Sequence, residues 1–377
     1  MNTSTTKGFN DYSGEEAKKR AEVMKILVES FEKYGFEPAE TPVIEYEEFV
    51  KGDNTQDEAV SDIFKLQDKG KRKLALRYEF TFQLKRLMQN KKLPFKRYQI
   101  GPVFRDEPVS ANRFRQFTQC DVDIIGSTIK DDAEILALTS EAMNKLGIKS
   151  VVYFNNRKFL NEILDGQKIK NKEEVIKEID KLDKLSEKEV KENLKKYNAE
   201  KIPEILKKPR KYFEKYSSYK EIKELEKYLK MYNVKAEFSP FLARGLSYYN
   251  ASVFEVKTKE MKETITAGGA FMFNNVQCTG ISFGLDRLSG LTKINIEKES
   301  YLVVSLNQDK EAIKLAEKLR KNNKQVSLFY GKPSKALDYA NSYKISKVIF
   351  VGEKEIKSKK FIVKDMETGK EKSLDFS

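Results

Sequence analysis

The stretch RYQIGPVFRDEPVSANRFRQFTQCDVDIIG, residues 97–126, decides the fold. Its first part is strand-like, with Tyr98, Ile100, Val103 and Phe104 as the apolar positions. EPVSAN (107–112) is a turn-rich loop, and RFRQFTQCDVDIIG is strand-like again. The reading is an antiparallel hairpin with a long loop. Arg105, Arg113, Arg115 and Glu107 sit at its rims. Guanidinium is planar, always charged and bidentate, so several arginines on one sheet can hold and bend a triphosphate. Glu107 can accept a hydrogen bond from an exocyclic amine or help to hold magnesium. Taken bare, the same residues also read as surface salt bridges.

Upstream, Ser13 and Glu16 have the capping-box spacing, and Ala17, Ala21, Met24, Val28 and Phe31 recur at helical spacing. These predict a helix over 14–34, stopped by Gly35. Pro38 and Pro42 make the next segment start extended. Residues 60–78 read as two strands around a Lys-Gly turn, and TFQLKRLMQN (81–90) reads as a helix. Downstream, 131–146 reads as a helix and VVYFNN (151–156) as a strand. Over 166–236 Lys and Glu dominate in helical patterns, which predicts a helical insertion with solvated, ion-paired faces. Strands resume in ARGLSYYNASVFEVKT (243–258) and ITAGGAFMF (265–273). CTGISFGLDRLSGL (278–291) reads as a strand, Gly284, and a helix opening at Leu285. Residues 301–377 alternate strand and helix, as in a small α/β domain. A boundary near 298 follows.

The chain has 377 residues, 72 Lys+Arg against 58 Asp+Glu, a formal charge of +14, and no histidine. That excludes Ser-His-Asp and Cys-His nucleophile systems and any imidazole base or metal ligand. With only Cys120 and Cys278, a four-cysteine zinc site within one chain is excluded too. No phosphate loop of the G-x-x-x-x-G-K-S/T or G-x-G-x-x-G type is present, and Lys7-Gly8 and Gly268-Gly269 are too short for a cradle. The excess of positive charge favours a polyanionic partner. Two distant cysteines, no long apolar run and no apolar leader predict a cytoplasmic protein without a membrane span.

Five segments resemble one family in its own order. Residues 97–126 look like motif 2 of class II aminoacyl-tRNA synthetases, in the version used by histidyl-tRNA synthetases. FLARGLSYYNASVFEV (241–256) resembles that family's arginine motif. TGISFGLDRLSGL (279–291) resembles class II motif 3. EKYGFEPAETPVIEYEEF (32–49) resembles motif 1, with Pro42 at the dimer-interface position. Residues 336–370 resemble the anticodon-binding domain. The resemblance implies an α+β fold: an antiparallel sheet flanked by helices over 1–297, interrupted by the helical insertion, then an α/β anticodon-binding domain over 298–377. It implies a homodimer that joins histidine to tRNA(His) with ATP and Mg²⁺.

The resemblance also implies roles. Arg105 matches the arginine on the α-phosphate, Glu107 the residue facing adenine, and Phe117 the aromatic stacked on it. Arg113 and Arg287 match the pair on the folded-back γ-phosphate and adenine. Arg244 matches the active-site arginine that neutralises the α-phosphate opposite the attacking carboxylate. Glu79, Thr81 and Gln119 match the α-ammonium site. Asp123 and Tyr249 match the residues that face the two imidazole nitrogens, with Tyr248 beside them. No residue is assigned to a metal. Three places depart from the family pattern: Ser247 stands for an aspartate, Ala270-Phe271-Met272 for Arg-Tyr-Asp, and 108–112 lacks the usual Gln-Lys-Gly. The alternative reading is therefore an altered paralogue that acts as a regulatory or tRNA-binding subunit.

Overall fold

The stretch 97–126 folds back on itself as expected in the computed structural model, which describes residues 2–52, 62–110, 113–183, 185–244, 248–296, 298–358 and 360–375. Two compact units divide the chain, Met1–Ile294 and Asn295–Ser377. In chain order the first unit holds β1 (Glu37–Pro38), β2 (Ile44–Tyr46), β3 (Lys65–Gln67), β4 (Lys73–Leu76), β5 (Phe95–Phe104) and β6 (Gln116–Ile125). It continues with β7 (Val151–Asn156), β8 (Ala236–Phe238), β9 (Tyr249–Thr258), β10 (Met261–Phe273) and β11 (Val276–Gly284).

The main sheet runs in the order β1-β5-β6-β11-β10-β9-β7-β8. Its central pairs are antiparallel, and only the edge pairs β1·β5 and β7·β8 are parallel. Side chains alternate across a strand, so β6 has two characters. Cys120, Val122 and Ile124 join the apolar core together with Val23, Leu27 and Phe31 of the helix Gly14–Lys33 and Ile135 and Leu138 of the helix Ile129–Lys145. Gln119, Asp121 and Asp123 point to the opposite face, and all three are buried. That second face is the floor of the candidate site.

The remaining helices differ from expectation in detail. Ser13 stands at the N-cap of the first helix but makes no capping hydrogen bond; Glu15 and Glu16 compensate the helix dipole instead. Capping boxes occur at Thr128/Asp131 and Ser186/Glu189. The expected helix over 81–90 shortens to Leu84–Leu87. The extended segment after Gly35 ends in a short helix, Glu47–Lys51. The part of the 60–78 hairpin at residues 60 and 61 lies outside the described residues; the rest pairs as β3·β4, with β2 on the other side of β4. Within 166–236 the helices Lys172–Asp180, Glu187–Leu194 and Tyr219–Met231 carry most of the structure. Their apolar faces are continuous with the main core, for Phe213 meets Phe159 edge-on at 5.2 Å and Phe238 at 6.1 Å.

The second unit has β12 (Ser300–Ser305), β13 (Gln325–Tyr330), β14 (Lys347–Val351), β15 (Lys360–Asp365) and β16 (Glu371–Asp375), ordered β13-β12-β14-β15-β16. The first three are parallel, and β15 and β16 extend them antiparallel. Apolar clusters cover both faces, one with Leu315 and Leu319, the other with Ala336 and Ala340. No helix among the described residues is long and apolar enough to cross a membrane.

Glycines let the floor close. A Cβ on Gly268 would lie 2.0 Å from the Gly280 carbonyl oxygen, and one on Gly280 would lie 2.1 Å from Asp123 Oδ1. So Gly268-Gly269 serves sheet packing rather than phosphate binding. Gly268→Ala is expected to cost at least about 2 kcal/mol, because backbone atoms cannot give way. Gly290→Ala, with nothing within 4 Å, should stay within about 1 kcal/mol of the parent. Urea unfolding of the two variants checks both.

Candidate active site

The rim of the floor is cationic. Arg105 follows β5, its guanidinium 4.3 Å from the Tyr78 ring centroid and 5.1 Å from that of Phe117. Its Nε is buried and has no acceptor. Arg113 lies across the hairpin loop, half exposed, and reaches Glu107 Oε2 at 3.4 Å. Arg287, in the first turn of the helix Leu285–Leu291, donates to the Thr264 carbonyl at 2.7 Å. Burial lowers its pKa, Glu263 opposes that, and Arg113 and Arg105 lower it further. Three guanidiniums that repel one another, one with an orphaned buried donor, fit a polyphosphate.

The floor is anionic. Glu79 lies just after β4, and Glu79 and Thr81 are both buried. Burial pushes the Glu79 carboxyl up to about 7; Asp121 and Asp123 raise it further, while Arg105 and Thr81 oppose. Its Oε1 has no partner. Gln119 Nε2 donates to both oxygens of Asp121 at 3.0 Å, which leaves Gln119 Oε1 buried and unpaired. Asp123 faces Arg97 across the β5·β6 register and pairs with it at 2.6 Å. Burial still raises Asp123 to about 7, with Arg97 lowering it and Asp121 raising it. Such a row of crowded carboxylates and free acceptors awaits a cation or N–H donors.

Tyr248 and Tyr249 form the side wall, ring centroids 4.7 Å apart. Tyr249 packs among Leu242, Val253 and Phe271. Burial raises both phenols, and Arg244 lowers Tyr249. Arg244 itself has φ of 54°, the left-handed region that a non-glycine residue rarely adopts. Its NH1 donates to Glu255 Oε1 at 2.8 Å. Burial opposes its charge, but Tyr249, Glu255 and Asp180 outweigh burial and raise its pKa. The arginine therefore stays charged inside the site.

The predicted residues thus gather on one face of one sheet. Arg105 is the junction, acting electrostatically on Arg287 at the rim and on Glu79 and Asp121 at the floor. Sequence reasoning missed Arg97, Asp121 and Glu255. The D-x-D alternation of Asp121 and Asp123 carried the signal for one of them. It also missed the brace behind Arg287: Asp286 accepts from Tyr12 OH and Arg20 NH1, both at 2.7 Å, and from the Thr118 amide at 3.1 Å. Of the departures, Ser247 and residues 111 and 112 lie outside the described residues. Phe271 is buried, edge-on to Tyr248 at 5.9 Å, so the wall here is apolar where the family has a phenol. Met272 is exposed.

Comparison with known proteins gives the family. The family profile described as histidyl-tRNA synthetase matches residues 8–288, and that described as anticodon binding domain matches 300–377. "Histidine--tRNA ligase 2" of Shouchella clausii is 34% identical, with 98% of each chain covered. "Histidine--tRNA ligase" of Methanocaldococcus jannaschii is also 34% identical, covering 98% of this chain and 96% of that one. Among solved structures, histidyl-tRNA synthetase from Nostoc sp. superposes with a TM-score of 0.87 at 24% identity, covering 100% of this chain and 97% of that one. A structure from Bacillus halodurans, described as an ATP phosphoribosyltransferase regulatory subunit/histidyl-tRNA synthetase, gives 0.79 at 22%, covering 92% and 98%. The last two speak to the fold alone.

The raised Glu79 carboxyl has a signed consequence. Its ordinary value of 4.5 applies when unfolded and about 7 when folded, so the folded state binds the proton more tightly. Stability from this group is lost as pH rises from about 4.5 through 7. Glu79→Gln should therefore be more stable than the parent at pH 8, by on the order of 1–3 kcal/mol, and match it near pH 5. Thermal unfolding without ligand at the two pH values measures the difference.

Proposed function

The chain belongs to the histidyl-tRNA synthetase family, and from that premise we propose that it is a histidine–tRNA ligase whose chemistry runs on the residues assembled above. The observation that carries the reading is the opposition of charge across one sheet face, carboxylates on the floor and guanidiniums at the rim. Histidine presents an ammonium and ring N–H groups to the first, and ATP presents phosphates to the second.

In this reading Glu79, Thr81 and Gln119 take the α-ammonium. Asp123 and Tyr249 take the imidazole nitrogens, with Tyr248 closing the wall. Phe117 and Glu107 hold adenine, and Arg113 and Arg287 hold the γ-phosphate. Arg105 and Arg244 flank the α-phosphate. The substrate carboxylate is already ionised, so no general base is needed. Its oxygen attacks the α-phosphorus, the bond to the bridging oxygen breaks, and pyrophosphate leaves with the electron pair. Arg105 and Arg244 neutralise charge that grows on the non-bridging oxygens. In the second step a tRNA ribose hydroxyl attacks the acyl carbon and a phosphate oxygen of the adenylate takes its proton, so AMP leaves. The absence of histidine from the chain is no obstacle to either step.

Magnesium, when bound with the nucleotide, would supply Lewis-acid charge at the phosphates; no side chain of the chain is assigned to it. The charge of +14 supports a tRNA partner, with residues 298–377 reading the anticodon end. We assign the catalytic unit to 1–297 and the anticodon-binding unit to 298–377, with the insertion over 166–236. Val43, Ile44, Tyr46 and Leu66 are exposed on and beside the small β2-β4-β3 sheet, which supports a homodimer through motif 1. A cytoplasmic location fits two buried free thiols.

The test is ATP–pyrophosphate exchange across the twenty amino acids, with tRNA charging in parallel. Exchange with histidine alone is expected, and Arg244→Ala or Arg105→Ala should reduce it about 100-fold or more. Failure of exchange with every amino acid, together with a stable complex with a phosphoribosyltransferase, would establish the regulatory paralogue instead. Sedimentation should show a dimer that Ile44→Asp splits into monomers.

A further inference from the structure

Arg157 opens the helix Arg157–Gly166, directly after β7. It is 1% exposed, among the most deeply buried charged side chains of the first unit. Nothing in its sequence context marks it as functional. Its NH1 donates to two successive carbonyls, Ala243 at 3.2 Å and Arg244 at 3.1 Å. Its NH2 donates to Glu173 Oε2 at 2.6 Å. Two residues earlier, Asn155 Nδ2 donates to the carbonyls of Pro240 at 3.0 Å and Leu242 at 2.8 Å. The end of β7 and the start of the helix after it thus grip the backbone that leads into Arg244.

Arg244 needs such a grip. Its backbone is in the left-handed region, which costs an ordinary residue energy and persists only where the surroundings over-determine it. Its side chain is held separately, by Glu255. The carbonyl bonds from Arg157 fix where the backbone sits, and hence where the guanidinium starts. A buried guanidinium needs a counter-charge, and the fork leaves one arm for it. That counter-charge comes from outside the sheet. Glu173 lies in the first turn of the helix Lys172–Asp180, the first helix of the lysine-rich insertion. The same helix carries Asp180 at its other end, and Asp180 acts electrostatically on Arg244.

We propose that Arg157 is a positioning residue for Arg244, and that the insertion supplies its counter-charge through Glu173. The insertion is then part of the amino-acid activation machinery, working before any tRNA arrives. The idea rests on the reading of Arg244 as catalytic. It adds that a helix remote in sequence sets the arginine's position through one buried fork.

The test is histidine-dependent ATP–pyrophosphate exchange without tRNA, with active sites titrated and kcat and KM resolved. Glu173 is about half exposed on its side chain, so Glu173→Gln should fold normally. Its kcat should fall about 3- to 10-fold, with the KM for ATP and histidine within about twofold, because misplacing a catalytic group weakens transition-state contacts most. Arg157→Lys keeps the charge but loses the fork, and its kcat should fall about 10- to 100-fold. Glu173→Asp should recover part of the loss. The double variant Arg157→Lys/Glu173→Gln should be no worse than Arg157→Lys alone, because the two residues act in one chain. Exchange at the parental rate in Glu173→Gln would overturn the proposal. So would losses that multiply in the double variant, or a loss in Arg157→Lys that vanishes once active sites are counted. Arg244→Ala is the reference: if it retains exchange, the catalytic assignment of Arg244 fails, whereas its collapse beside a fully active Glu173→Gln rejects only the present proposal.

Discussion

The buried pair of Arg97 and Asp123 is the constraint on which the site depends. The two face each other on the β5·β6 hairpin at 2.6 Å, and Arg97 is wholly buried. Two charges taken out of water repay desolvation only if their geometry is good and their remaining bonds are met. Here the cross-strand register supplies the geometry and Arg97 NH2 also donates to the Phe80 carbonyl at 3.1 Å, but Arg97 Nε and NH1 are left buried without acceptors, so the pair specifies register more than it adds stability. That second bond ties the hairpin to the segment that carries Glu79 and Thr81. Removing either partner would strand a buried charge, at about 3–5 kcal/mol. A pair this exposed to error fixes the register of the hairpin, and with the register go Gln119, Asp121 and the rim arginines.

Around that pair the protein concentrates like charges instead of separating them. Glu79, Asp121 and Asp123 crowd the floor, and Arg105, Arg113 and Arg287 crowd the rim. Glu79, Asp121, Asp123 and Arg287 are less comfortable than they would be on the surface, and this discomfort is a form of preorganisation. A ligand with a cationic end and an anionic end relieves both sides at once. The brace behind the rim, Asp286 with Arg20 and Tyr12, and the grip on Arg244 have the same character. They spend bonds on holding a charged group still.

Much of this was legible in the sequence, and the rest was not for definable reasons. The hairpin pattern put Arg105 and Arg113 around one loop, and resemblance to the family's motifs singled out Arg287 and Arg244. Resemblance pointed to Gln119 and Asp123, and strand alternation on β6, which puts Asp121 on the same face between them, was there to be read. Arg20 and Arg157 escaped because their roles depend on partners far away in the chain, and Arg97 and Glu255 because nothing in the local pattern says which charge each will face once folded. Arg20 meets a residue 266 positions later. The capping box expected at Ser13 failed for the opposite reason: the local pattern was present, yet the acidic first turn meets the need without the bond. The expected helix over 81–90 shortened because that segment serves the floor, where Glu79 and Thr81 must turn inward.

The carboxylate floor, the phenolic wall and the guanidinium rim share one trait of composition: the chain that builds them has no imidazole anywhere. A bound histidine would carry the sole imidazole in its complex with the protein. Ring nitrogen resonances of that complex would then come from the substrate alone, since the chain has neither histidine nor tryptophan. Tautomer and charge of the ring beside Asp123 and Tyr249 would be readable by magnetic resonance without selective labelling, and the protein would be silent in that window throughout the titration.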